Sequence, residues 1–126
     1  MKTFLLIFSL LLSTQAFSQT RKTLEADYKA ILALFEATKS LSKAQLGCQS
    51  SRDCKAIALG NRACGGPSDY LIASLLNNNF KEILTLAKVT QNIERRFNID
   101  NQVVSICIVE RAPTLECIEN LCQEVR

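Results

Sequence analysis

Six cysteines, at positions 48, 54, 64, 107, 117 and 122, offer the most chemistry in this 126-residue chain. Thiols serve disulfides, metals or redox exchange, and spacing separates these uses. A redox dithiol usually takes a Cys-x-x-Cys spacing. Here five residues separate Cys48 from Cys54 and four separate Cys117 from Cys122. The same intervals match no linear zinc-ribbon pattern. An even number of cysteines entering an oxidising compartment reads as three disulfides, with 15 pairings open to six cysteines. The chain has no histidine, which excludes Ser-His-Asp and Cys-His catalytic sets and histidine-containing zinc sites. Asp53, Asp69 and Asp100 lie near turn signals, where carboxylates stabilise turns far more often than they act as acid and base. There is no tryptophan to line a sugar cleft. The reading is a protein that is not an enzyme, with no catalytic residue, no cofactor and no metal-ligand set.

The stretch ALGNRACGGPSDYLIAS, residues 58–74, places Cys64, Gly65, Gly66 and Pro67 in succession between two apolar runs. Paired glycines open backbone conformations closed to other residues, while Pro67 fixes its own φ and pushes Gly66 toward an extended shape. One reading is a corner braced beside a disulfide. The functional alternative is an exposed recognition loop over Gly60 to Ser68, with Arg62, Gly65, Gly66, Pro67 and Tyr70 as candidate binding residues. A loop held rigid by a bridge loses less entropy on binding, the route by which small inhibitors gain affinity. Arg62 is then the residue to offer a trypsin-like pocket.

The elements that must position these residues follow from composition and periodicity. MKTFLLIFSLLLSTQAFSQ has one lysine before an uncharged apolar run and small residues after it, the layout of a secretory signal peptide. Cleavage is expected after Ser18, so residues 1–18 form the signal and 108 residues remain. The apolar run is too short for a membrane anchor, and no cysteine stands at the cut for lipid attachment. The mature balance of 14 basic against 12 acidic side chains gives no electrostatic footprint for nucleic acid or an acidic membrane. Leu24, Tyr28, Ile31 and Phe35, with Leu32 alongside, recur at helical spacing and predict an amphipathic helix within residues 19–45, packed on the domain's own core or, as the alternative, offering its stripe to a partner as a second contact surface beside the loop.

The remainder, residues 46–126, reads as one cysteine-stapled α+β domain, a small antiparallel sheet with a long helix packed on it. A turn between Cys48 and Cys54 is followed by a strand over Ala56–Leu59 and a second extended segment over Tyr70–Leu75. Asn79 and Glu82 form a capping pattern for a helix that ends near Asn98–Asn101. Its apolar face is drawn from Ile83, Leu86, Ile93 and Phe97, with Phe80, Leu84, Ala87 and Val89. Val103–Val109, rich in β-branched residues, is the strongest strand signal. TLECIENLCQEV predicts a tight hairpin turning near Glu119-Asn120.

Taken together, Cys48, DCKAIALGNRACGGPSDYLIAS, VVSICIV and PTLECIENLC resemble a group of small secreted cysteine-rich bacterial proteins, in which a Cys-Gly-Gly-Pro corner precedes a tyrosine, a helix and a closing cysteine pair. The resemblance covers about residues 48–122 and is most specific at Cys64, Gly65, Gly66, Pro67 and Tyr70. It implies architecture and export but no reaction. Pairing Cys64 with Cys107, and Cys48 and Cys54 with Cys117 and Cys122 in either order, staples corner and hairpin to the central strand. The function expected is an exported, non-catalytic, disulfide-stabilised binding module for an unknown protein partner in the periplasm or the medium. The alternative is a periplasmic thiol-redox or metal-handling protein.

Overall fold

The computed structural model describes residues 2–125, with side chains from residue 21 onward. The expected cleavage after Ser18 lies outside the residues whose side chains are described. The chain divides into two compact units, Met1–Ala30 and Ile31–Arg126. Helix α1 spans Lys2–Lys43. In the first unit Lys29 pairs with Glu25 at 2.9 Å, while Leu24 and Tyr28 are exposed. Among the described residues no helix is long and apolar enough to cross a membrane.

The second unit is an α+β fold of two antiparallel strand pairs and helices. After α1 come β1 (Cys54–Leu59), β2 (Asp69–Ser74), α2 (Phe80–Asp100), β3 (Thr114–Ile118) and β4 (Leu121–Val125). β1 pairs with β2 from Cys54 opposite Ser74 to Leu59 opposite Asp69. Strand alternation divides their side chains between two clusters. Ile57, Leu59, Leu71 and Ala73 form the main core with Ile31 and Phe35 of α1 and Ile83 and Ala87 of α2. Of the α1 stripe, Ile31 and Phe35 are thus core residues, and Leu32 beside them stays exposed. Cys54 and Ile72 belong to the second cluster, with Cys48, Cys122, Leu115 and Cys117.

Polar side chains fasten the elements where backbone groups run out of partners. The Asn77 amide donates to the carbonyls of Leu41, Ser42 and Gln45 at 3.2–3.4 Å, satisfying the end of α1. Lys39 of α1 sits 2.6 Å from Asp69 at the start of β2. That hydrogen bond holds the Lys39 pKa above its ordinary 10.5, against the opposing effect of burial. Three disulfides join Cys48 to Cys117, Cys54 to Cys122 and Cys64 to Cys107, closing loops of 69, 68 and 43 residues in sequence separation.

Several sequence expectations change. Asn79 occupies the N-cap of α2 but makes no side-chain capping bond. The Asn77 carboxamide oxygen instead accepts the Asn79 N–H at 2.8 Å, two residues ahead of the cap. The buried stripe of α2 is Ile83, Ala87, Thr90 and Glu94, leaving Leu84, Val89 and Ile93 exposed. Val103–Val109 is not a strand. The Ile108 N–H donates to the Ile106 carbonyl at 2.9 Å, a three-residue turn that breaks the extended run. The hairpin turn does fall on Glu119 and Asn120, with φ of 51° and 60°, the two positive values that a two-residue hairpin loop of the favoured type demands.

Candidate functional site

The loop joining β1 to β2 begins where the chain must pass a buried carboxylate. Gly60 has φ 67°, and a Cβ there would collide with Glu94 Oε2 and the Phe35 ring and come within 2.9 Å of Ser68 Cβ. Only glycine combines this backbone conformation with so close an approach. Glu94 uses the space so released. Its Oε2 accepts the Asn61 N–H and the Ser68 hydroxyl, both at 2.6 Å. Thr90, one helical turn earlier, accepts the Gly60 N–H at 3.1 Å, and the Asn98 amide donates to the Asn61 carbonyl at 2.6 Å. One face of α2 therefore holds both ends of the loop.

The loop also closes on itself and on the segment after α2. Arg62 N–H donates to the Gly66 carbonyl at 2.9 Å and Gly65 N–H to the Arg62 carbonyl at 2.8 Å. Gly65 and Gly66 take φ of 97° and 81°. Gly66 is therefore not the extended residue expected before Pro67, because its carbonyl must turn back to the Arg62 amide. The Arg62 guanidinium donates to the Ile108 carbonyl at 2.9 Å and pairs with Glu110 at 3.0 Å. Cys64 is bridged to Cys107, and its N–H donates to Ser105 Oγ at 3.2 Å.

Of the candidate residues, Arg62, Gly65, Gly66 and Pro67 share this loop. Residues 63–66 at its tip are exposed. Tyr70 does not join them: it lies on β2 and lines a separate 260 Å³ cleft with Lys39, Lys43, Pro113 and Glu124. A larger cleft of 390 Å³ lies between loop residues 61–65 and Arg95, Asn98, Ile99 and Val103. Beside the tip runs 103–109, whose Val104, Ile106 and Val109 are 93%, 79% and 83% exposed. Glu94, Thr90 and Asn98 were not among the sequence candidates. Their signal was the four-residue and three-residue intervals that place Thr90 and Glu94 in register with Ile83 and Ala87.

No protein-family model matches the chain, and no curated protein and no solved structure is significantly similar to it.

Proposed function

We propose that this chain is an exported, non-catalytic binding module that recognises a protein partner through the tip of the Gly60–Ser68 loop and the adjoining 103–109 segment. One observation carries the reading. The loop is immobilised by Glu94, Thr90, Asn98, Arg62 and a disulfide, yet its tip and the apolar side chains beside it face solvent. A pre-ordered surface of this kind loses little conformational entropy on association, and contiguous exposed apolar residues mark interaction sites. Three disulfides support an oxidising, extracytoplasmic setting.

A protease-inhibitor role through Arg62 is the finer version of this reading. It requires the Arg62 guanidinium to leave Ile108 and Glu110, and unchanged activity of trypsin-like proteases with stoichiometric oxidised protein eliminates it. The general reading is tested by photo-crosslinking groups placed at Ala63, at Val104 and, as a control, at Lys88 on the exposed side of α2. Crosslinking of one partner from positions 63 and 104 but not 88, abolished by Ile106→Lys in an otherwise folded protein, is the expected result. Equal crosslinking from all three positions means that the surface is not the recognition face.

A further inference from the structure

We propose that, with its disulfides reduced, the chain binds one zinc-type divalent cation through Cys48, Cys54, Cys117 and Cys122. The linear spacing gives no sign of such a site, but folding assembles one from two turns. Cys48 and Cys54 flank the short 3-10 turn Ser51–Asp53, and Cys117 stands directly opposite Cys122 across the β3–β4 hairpin. The disulfides run between the two turns rather than within either. Three of the four sulfurs are thereby drawn to one place, and the fourth, of Cys117, is tied to them through its bond to Cys48. The Sγ atoms of Cys48, Cys54 and Cys122 lie within 4.8 Å of one another, all three residues are buried, and Cys117 is bonded to the first of them.

A tetrahedral tetrathiolate site has Zn–S bonds of about 2.3 Å, which puts neighbouring sulfurs roughly 3.8 Å apart. Opening the two bridges moves bonded sulfurs outward to that separation, while the third cysteine is already within reach. Two turns each supplying a pair of thiolates is the arrangement of structural zinc sites, and four sulfur donors select zinc over magnesium or calcium. The neighbouring carboxylate does not compete. Asp53 Oδ2 is occupied by the N–H groups of Gln49 and Ser50 at 2.8 and 2.9 Å.

The chemistry balances with a dithiol or phosphine as reductant. Each bridge takes up two electrons and two protons to give two thiols, while a dithiol becomes a disulfide or a phosphine takes oxygen from water to become its oxide. The cation then displaces the four thiol protons. The remaining bridge, between Cys64 and Cys107 beside the loop tip, is an internal control because neither residue belongs to the sulfur cluster.

The full chain, reduced anaerobically with a water-soluble phosphine and freed of it, is titrated with Co²⁺ and then with Zn²⁺ while absorbance and far-ultraviolet circular dichroism are recorded. The expected result is one Co²⁺ per chain with the thiolate charge-transfer and visible bands of a tetrahedral sulfur site, displaced by one equivalent of Zn²⁺. Single Cys→Ser substitutions at 48, 54, 117 or 122 lower affinity by more than about 100-fold, beyond the loss of a mere outer-shell partner. The Cys64→Ser/Cys107→Ser double variant binds unchanged. Absence of a tetrahedral cobalt spectrum overturns the proposal, even if the reduced apo chain is unfolded, because cation binding at such sites drives folding. Equal loss of binding in the double variant overturns it too, by showing non-specific thiol chelation. Neither result touches the loop reading, which concerns the oxidised protein.

Discussion

Glu94 turns a hairpin connection into a fixed surface, because an oxygen of a carboxylate set in the buried stripe of α2 takes its hydrogen bonds from the loop. It receives one backbone and one hydroxyl donor from opposite ends of the loop, and hydrogen bonds to charged groups contribute about 1.5–3 kcal/mol each. Glu94→Ala is therefore expected to cost about 3 kcal/mol, and to speed amide exchange at Asn61 more than in the core strand β1. Glu94→Gln, which keeps an acceptor oxygen, loses less. Equal destabilisation by both, with exchange at Asn61 unchanged, refutes the clamp. Asp53 plays the corresponding part in the turn between Cys48 and Cys54. The N–H groups of Gln49 and then Ser50 hold its pKa below the ordinary 3.8. A depressed carboxyl pKa stabilises the fold above the unfolded-state value and ceases to do so as pH falls through the lower folded value. An NMR titration should place the Asp53 midpoint below 3.8 and show the Gln49 and Ser50 amide shifts moving with it; a midpoint at or above 3.8 contradicts the turn geometry.

Elements were legible where local rules suffice and misread where a distant partner decides. The β3–β4 turn required positive φ at two adjacent positions, and Glu119-Asn120 followed by alternating side chains announced it without help from the rest of the chain. α2 was legible as a helix for the same reason, and so was part of its buried face: Ile83 and Ala87 are core residues, with Phe80 and Phe97 packed against them, but the rest of that face was misread. Counting apolar residues favoured Leu84, Val89 and Ile93, whereas packing selected Thr90 and Glu94, whose polar atoms answer the loop. Val103–Val109 failed in the opposite direction. Its β-branched residues favour extension, but strand formation needs a neighbour, and neither strand pair extends to this segment. Its Ile108 carbonyl and Ser105 hydroxyl go to the loop instead. For the candidate site, the Cys-Gly-Gly-Pro run located the loop, while its anchors more than 25 residues away could be found only after α2 was laid against β1. Tyr70 shows the same limit, since strand alternation carries it off the loop within three residues of Pro67.

At the scale of the molecule, the cysteines do not by themselves make the fold, because the helical residues that precede Cys48 supply part of its core. Ile31 and Phe35 are buried against both strands and α2, and Leu41 packs against the same cluster. Thr38 and Ser42 are fully enclosed, Ser42 donating to the Ile72 carbonyl of β2. Loss of a buried phenylalanine side chain costs about 3–5 kcal/mol and of an isoleucine about 2–5. Together these approach the whole net stability of a small domain, roughly 5–15 kcal/mol. Three bridges, at about 2–4 kcal/mol each, restrict the unfolded chain but leave that apolar surface bare. Two truncations separate the contributions. A chain beginning at Ile31 keeps every member of the core cluster and is expected to unfold cooperatively with native near-ultraviolet dichroism. A chain beginning at Leu46 keeps all six cysteines and is expected to lose the cooperative transition and to exchange its β1 and β2 amides rapidly. Matching thermal midpoints for the two chains would show that the disulfide framework folds without the helix, and that the burial of Ile31 and Phe35 contributes little.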